Sequence, residues 1–457
     1  MSAVHARETA RLVAAGVVQR IAASLASGVL FALALPPYDL FPLASVAFTP
    51  LLIAVWSASG YRAMWYALPM ALTASFLLLG VPQEPSYTLV MMPFLAFGAL
   101  TALVLATARW LGWQSGWITI TGVGAAGVLV EWIAAIIDFP YTVALALWRD
   151  VPLLWVASWT GVWGLSFLLW AVNAAVAQAL ALRRTTRLLW TVLAGLALLH
   201  GVGAAQIALA GRSESVRVAV IQSDSSGMLS ALREAKAQGA QLAVLPETCC
   251  SEAEAAGWAR QLGMWLVFGY WGTGNSAALA SPDGRLSPPY YKMHPYGGEP
   301  RSWRPGDTVR SCGSPIGRLG VVICDDTNVS DSVRLQARQG VRLIAVPTYD
   351  PMTPQLALHH LHAASTTLRA AEHRVPLARS EYRLKSMVTD RFGRVLAEAD
   401  AGETLAVADV PLGDGRGSFA TRLGDGAVLL CAFWLGATCV RQRRRSILSA
   451  PAGENPA

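Results

Sequence analysis

Charge is scarce in this 457-residue sequence: Asp, Glu, Lys and Arg make up 14% of it, where an ordinary globular chain carries about 25%. That scarcity excludes a disordered chain, a coiled coil and a highly charged nucleic-acid binder. Lysine is scarcer still, because among 36 basic residues only Lys236, Lys292 and Lys385 are not arginine. A cleavage signal is also missing. Arg7, Arg11 and Arg20 precede the first apolar run, but that run is followed by Pro36-Pro37-Tyr38-Asp39 and a second apolar run rather than by a small-residue cleavage site, so it reads as retained.

In place of charge the chain has apolar surface: 54% hydrophobic residues, 17 tryptophans and a mean hydropathy of +0.42. This composition points to a protein solvated in part by lipid. Residues 1–210 are almost continuously apolar, 211–424 have the charge and turn content of a soluble domain, and 425–457 hold a last apolar run and a basic tail. Apolar runs at about 21–37, 41–58, 62–81, 87–108, 116–137, 156–182, 188–210 and 426–440 each approach the roughly 20 helical residues that cross a 30 Å hydrocarbon core. The expected architecture is a polytopic α-helical membrane domain of eight spans, with the soluble region inserted between the seventh and the eighth.

An even number of spans puts both termini on one side of the membrane. Arg7, Arg11, Arg20, Arg62, Arg109, Arg183, Arg184, Arg187, Arg441, Arg443, Arg444 and Arg445 all fall on that side, whereas the short loops opposite contain only Arg149. Basic loops stay in the cytoplasm, so the termini are expected there and residues 211–424 across the membrane. The net charge of +7 then records topology and is no sign of an acidic substrate. Glu131 lies inside the fifth span, where an ionised side chain is costly and often functional. The plainer reading puts it near the outer end of its helix, reaching interfacial water.

The soluble region alternates strands and helices. Val216 to Gln222, Gln241 to Pro246, Met264 to Tyr270, Asn275 to Ala280, Gly320 to Ile323 and Leu343 to Val346 read as strands. Helices are expected at about 228–239, 252–263 and 329–339. Such alternation argues an α/β domain whose reactive groups gather at strand ends. Glu247, Lys292 and Cys324 occupy such ends. A thiol becomes a strong nucleophile when a base removes its proton, and a nearby cation favours the thiolate and an oxyanion. Each residue alone has a plain alternative: an isolated Cys is commonly a small core hydrophobe, and a lone Glu or Lys a solvated charge. Lys292 is less ordinary in a chain that otherwise uses arginine.

Together these residues resemble the Glu-Lys-Cys triad of the nitrilase, or carbon–nitrogen hydrolase, superfamily. Ala219-Val220-Ile221-Gln222, Asn275-Ser276-Ala277 ahead of Asp283-Gly284-Arg285, and Arg369-Ala370-Ala371-Glu372 opening a late helix extend the likeness. In the apolar region, the stretch from Leu35 to Ala44, Glu131-Trp132 with Phe139-Pro140, and Gly161-Val162-Trp163-Gly164-Leu165-Ser166 make the chain, from about residue 20 to 443, similar to the apolipoprotein N-acyltransferase family. The resemblance implies an inserted nitrilase-like αββα domain, Glu247 as general base, Cys324 as nucleophile and Lys292 as oxyanion partner. Glu299 falls near the family's second glutamate, and Asp326 takes the place of a carboxylate found two residues after the cysteine. The implied partners are a phospholipid acyl donor, a diacylated lipoprotein acceptor and membrane lipids, with no nucleic acid; a monomer without cofactor is expected.

The chain departs from the family at the nucleophile, where Cys324-Asp325-Asp326 replaces Cys-Tyr-Glu; an acid at 325 raises the thiol pKa unless Lys292 is close. Thr348-Tyr349-Asp350-Pro351-Met352 replaces Asn-Asp-Ala-Trp-Phe-Gly. These changes motivate two alternatives: a membrane-bound amidase or acyltransferase for another amine, and a catalytically silent lipid-binding or lipoprotein-binding homologue. His359, His360, His362 and His373 form a poor ligand set, so no metal is expected. Cys249, Cys250 and Cys312 leave a disulfide open without fixing its connectivity. Cys431 and Cys439 read as packing residues of a membrane helix.

Overall fold

The computed structural model of the protein describes residues 16–58, 61–79, 85–112, 116–136, 142–183, 185–211, 213–296, 299, 303, 305–307, 311–314, 316–350 and 356–449. Arg7, Arg11, Phe139, Pro140, Arg184, Pro351 and Met352 lie outside them.

The apolar region is helical, and a proline marks the end of its first helix. α1 (Val17–Ala34) ends where Leu35 turns extended (φ −88°, ψ 157°), because the residue before a proline is pushed out of the helical region. The second apolar run does not form one helix. It is a 3-10 turn at Phe41–Ser45 with Pro42 near its start, followed by α2 (Thr49–Ser57) with Pro50 near its start. Nine residues rise only about 14 Å, under half of a bilayer core. The third run is likewise a 3-10 segment, Tyr61–Tyr66, leading into α3 (Ala67–Leu79). α4 (Pro85–Leu111), α5 (Trp117–Ile136), α6 (Val151–Leu154), α7 (Ala157–Thr160), α8 (Val162–Ala181) and α9 (Arg187–Ala208) complete the region. Among the described residues, α1, α5, α8 and α9 are long and apolar enough to cross a membrane.

Glu131, on α5, is placed otherwise than its reading as an interfacial residue. It is 2% exposed and accepts from Ser166 Oγ at 2.7 Å, Trp170 Nε1 at 2.8 Å and the Val143 N–H at 3.3 Å. The carboxylate therefore joins α5, α8 and the Val143–Leu147 turn. Gly127, one turn earlier, makes room for this, since a Cβ there would lie 2.1 Å from the Trp170 ring.

The second region is a two-sheet sandwich. One sheet runs β12-β1-β2-β3-β4-β5 and the other β11-β10-β9-β8-β7-β6. The first contains β1 (Ser215–Ile221), β2 (Leu242–Val244), β3 (Trp265–Trp271), β4 (Asn275–Ala280), β5 (Tyr290–Tyr291) and β12 (Leu405–Pro411). The second contains β6 (Ser311–Ser314), β7 (Gly317–Val321), β8 (Leu343–Pro347), β9 (Leu377–Ser380), β10 (Lys385–Thr389) and β11 (Val395–Asp400). Along β1 alternate side chains go to opposite faces: Val216, Val218 and Val220 meet Val321, Ile344 and Leu377 of the other sheet. Ala219 and Ile221 instead meet Leu232 and Ala255 of the outer helices α10 (Met228–Ala237) and α11 (Glu252–Leu262). The strands and helices expected from 216 to 346 are all present.

On the opposite flank lie α12 (Ser330–Arg338) and α13 (Leu356–His373). α13 corrects one expectation: Arg369-Ala370-Ala371-Glu372 closes this helix rather than opening it. No Gly or Pro interrupts 356–373, and Leu361, Ala364, Leu368 and Ala371 keep the helical spacing of an apolar stripe. That stripe packs into the core of the membrane helices, while Ala370 faces the sheets. α13 is thus the layer shared by both halves. After β12 the chain passes through α14 (Phe419–Leu423) to α15 (Gly426–Ser449). On α15, Cys431 packs against the membrane core, but Cys439 is exposed.

Candidate active site

Glu247, Lys292 and Cys324 come from three different chain segments and are 4%, 3% and 6% exposed. Glu247 leaves the end of β2 on a loop pressed against β3, where a Cβ on Gly269 would lie 2.8 Å from Glu247 Cα. Lys292 follows β5, its N–H held by Asn275 O at 3.0 Å. Cys324 begins a 3-10 turn, Cys324–Thr327, just past β7. Two non-glycine residues here adopt the left-handed region, Thr248 at φ 58° and Cys324 at φ 49°. Such backbone is costly and concentrates at functional sites.

Hydrogen bonds and ion pairs link these groups, while Asn275 Oδ1 and Glu299 Oε2 are buried without a hydrogen-bond partner among the described residues. Lys292 Nζ lies 3.4 Å from Glu247 Oε1 and pairs closely with Glu299 Oε1. Asn275 Nδ2 donates to both carboxylates, to Glu247 in a close contact and to Glu299 at 3.1 Å. The Tyr349 backbone bridges Glu247 and Cys324: its N–H donates to Glu247 Oε2 at 2.9 Å, and its carbonyl is 3.7 Å from Cys324 Sγ. Asp326 is fully buried and accepts from the N–H groups of Ile323 (3.0 Å), Met293 (3.1 Å) and His294 (2.8 Å) and from Tyr290 OH (2.7 Å). It therefore ties the cysteine turn to the lysine segment, although burial pushes its pKa up to about 6.

Electrostatics fix the resting protonation states. Burial raises the Cys324 thiol well above its usual value, the Glu247 charge adds to this, and Lys292 only partly opposes it; Asp350 and Asp325 push the same way as Glu247. The resting group is a thiol that needs a base. Burial works against charge on Lys292, but the carboxylates of Glu247 and Glu299 oppose it and hold the ammonium above an ordinary lysine. A buried ammonium beside a buried thiol stabilises negative charge when it appears on sulfur or on an acyl oxygen, and the low local dielectric strengthens that effect.

All five residues singled out by sequence as the triad and its support, Glu247, Lys292, Cys324, Glu299 and Asp326, lie in this one cluster. Asn275 and Tyr349 were quoted only for their surrounding motifs, and backbone donors leave no mark in a sequence. The six cysteines are free; Cys249 and Cys250 have their sulfurs 3.5 Å apart, and Cys312 is on β6 beside a separate cleft of about 570 Å³. His362 Nδ1 lies 2.6 Å from Asp350 Oδ1 and His359 Nδ1 3.6 Å from Oδ2, and Arg379 Nη2 pairs with that Oδ2 at 2.6 Å. A guanidinium thus holds the carboxylate oxygen that His359 faces.

The two-sheet sandwich has buried Glu, Lys and Cys near its strand ends, and residues 217–417 match the family model described as carbon-nitrogen hydrolase, which makes it a carbon–nitrogen hydrolase domain. Residues 27–175 match the apolipoprotein N-acyltransferase N-terminal domain. An apolipoprotein N-acyltransferase of Geobacter metallireducens is 26% identical, over 92% of this chain and 95% of its own length. One from Bradyrhizobium diazoefficiens is 29% identical over 38% of this chain and 36% of its own. Among solved structures, an amidase from Nesterenkonia sp. is 24% identical, covering 44% of this chain and 93% of that one, with a TM-score of 0.38. The chain belongs to the apolipoprotein N-acyltransferase family.

Proposed function

We propose that the protein transfers an acyl chain from a phospholipid to the N-terminal amine of a diacylglyceryl-cysteine in apolipoproteins, through a thioester on Cys324. Glu247 takes the Cys324 proton and the thiolate attacks the ester carbonyl. The oxyanion of the tetrahedral intermediate faces Lys292. Collapse breaks the ester C–O bond, and the lysophospholipid leaves with the proton held by Glu247. The acceptor amine then attacks the thioester, Glu247 removes its proton, and the thiolate departs and is reprotonated, leaving an amide. The observation that carries this reading is the buried Lys292 ammonium set between two carboxylates beside a neutral thiol.

Both substrates are lipid-anchored, which gives the membrane helices a role: they hold the sandwich at the depth where acyl esters emerge. The proposed organisation is seven spans in residues 1–210, a periplasmic catalytic domain at 211–424, and an eighth span with a cytoplasmic tail at 425–457. The broken runs around α2 and α3, together with α4 and α15, would complete the crossings begun by the four long helices. The protein acts as a monomer in the bacterial inner membrane.

Purified protein in detergent, mixed with phospholipid labelled in its acyl chain, should acquire a hydroxylamine-sensitive label that a diacylated lipopeptide discharges as a triacylated product. No label on wild type, or equal label on Cys324→Ala, overturns the mechanism. Discharge by water alone identifies a hydrolase instead.

A further inference from the structure

The histidines of α13 are unused by the chemistry above, yet one of them touches the nucleophile residue. His362, 5% exposed, has Nε2 at 3.0 Å from the Cys324 carbonyl oxygen and 3.2 Å from Thr327 Oγ1, which itself donates to that carbonyl at 2.9 Å. Its Nδ1 lies 2.6 Å from Asp350 Oδ1. A carbonyl oxygen only accepts, so the contact at Nε2 is a donation from the ring. Nδ1 lies between the Asp350 carboxylate and Arg379 Nη2, 3.3 Å away, and the ring is thus bonded at both ends.

Its far end is anchored. Asp350 Oδ2 pairs with Arg379 Nη2 at 2.6 Å, and Arg379, with no exposed surface, also donates to the Lys385 carbonyl. The Asp350 N–H donates to Glu381 Oε1 at 3.4 Å. The near end meets the one residue of the cysteine turn with φ in the left-handed region. Nothing in a cysteine side chain offsets that conformation, so an external hold on its carbonyl is required. Sγ of Cys324 also lies within 4.8 Å of ligating atoms of Asp350 and His362, close enough for a shift of the ring to move it.

We propose that His362, held by Asp350 and Arg379, is a positioning residue for Cys324: it clamps the carbonyl, keeps the residue left-handed, and so sets the direction of the thiol toward Glu247 and Lys292. This rests on the reading of Cys324 as nucleophile. The inference also gives Asp350, at the altered Thr348-Tyr349-Asp350 segment, a task.

The test is single-turnover acylation of the full-length protein, using phosphatidylethanolamine with a fluorescent acyl chain and reading the hydroxylamine-sensitive label. His362→Gln places an amide where Nε2 stands and can still donate to the Cys324 carbonyl; His362→Asn reaches only Asp350. His362→Leu removes both bonds. A misplaced nucleophile costs about 100-fold, so Leu and Asn should acylate about 100-fold more slowly at an unchanged half-saturating donor concentration. Gln should recover to within about tenfold of wild type. Equal rates for Gln and Asn, or a folded Leu variant at wild-type rate, overturn the clamp. The Gln and Asn comparison decides even where Leu does not fold. Cys324→Ala labelling like wild type would instead overturn the nucleophile, an outcome independent of position 362.

Discussion

The N–H of Val162, at the first turn of membrane helix α8, donates to Glu372 Oε1 near the end of α13 at 3.2 Å. The other oxygen of Glu372 pairs with Arg369, whose Nε and Nη2 hold the carbonyls of Thr327 and Asn328 at 3.1 and 3.0 Å. One buried ion pair therefore connects a membrane helix to the turn carrying Cys324. Breaking a buried pair by removing one partner leaves the other charge stranded, at about 3–5 kcal/mol. Glu372→Ala should lower the melting temperature far more than Asp409→Ala, which removes the exposed Arg217–Asp409 pair worth at most about 1 kcal/mol. Equal shifts for the two variants would show that Glu372 docks nothing.

Asn275 holds the proposed base in place. Its amide donates to Glu247 and Glu299. Asn275→Ala removes that donor and leaves the Glu247 carboxylate free to turn away from Cys324, so kcat should fall by about 10- to 100-fold. A kcat within about twofold of wild type would show that Asn275 does not position the base.

His373 makes stability depend on pH. Burial pushes its imidazole down to about 4 from the usual 6.5, against the opposing Glu372 charge; it is held between Ser330 Oγ and Thr421 Oγ1. A depressed value means that the unfolded chain binds the proton more readily. The contribution is fully present above pH 6.5 and lost as pH falls toward 4, by roughly 3 kcal/mol at most. Asp326, raised to about 6, acts with the opposite sign, its contribution being lost as pH rises through 6. The informative quantity is thus the difference between wild type and His373→Gln. Melting temperatures between pH 8 and 4.5 should fall less steeply for the variant; parallel curves would contradict the assignment.

Lys292 was legible because lysine is rare here, and the same rarity marks Lys385, also 3% exposed and paired with Glu398 and Asp400. Strand alternation from 216 to 346 was legible because a period of two needs only local information. What the sequence hid depends on contacts between distant segments. Nothing near Glu131 announces Ser166 and Trp170, and an apolar setting alone favoured interfacial water as its partner. His362 looked like one of several weak metal ligands because its partners, Cys324 and Asp350, come from other elements. Pro42 and Pro50 were in view, yet hydropathy sums over a window and does not register that a proline in a first turn starts a new segment there.

Orientation can be tested on the arginine asymmetry itself. Basic loops resist translocation, so Arg441 on α15 and Arg285 in the inserted domain should lie on opposite sides of the membrane. Both positions are exposed, Arg285 with 86% of its side-chain surface free. With Cys250, Cys312 and Cys439 replaced by serine, Arg285→Cys should react with a membrane-impermeant maleimide once the outer membrane is opened. Arg441→Cys should react only after the inner membrane is disrupted. The reverse pattern would put the catalytic domain in the cytoplasm, on the wrong side for acceptors that have already crossed, and the proposed lipoprotein substrate would fall with it. Labelling of both before disruption would mean that α15 does not span, leaving the inserted domain tethered from one end.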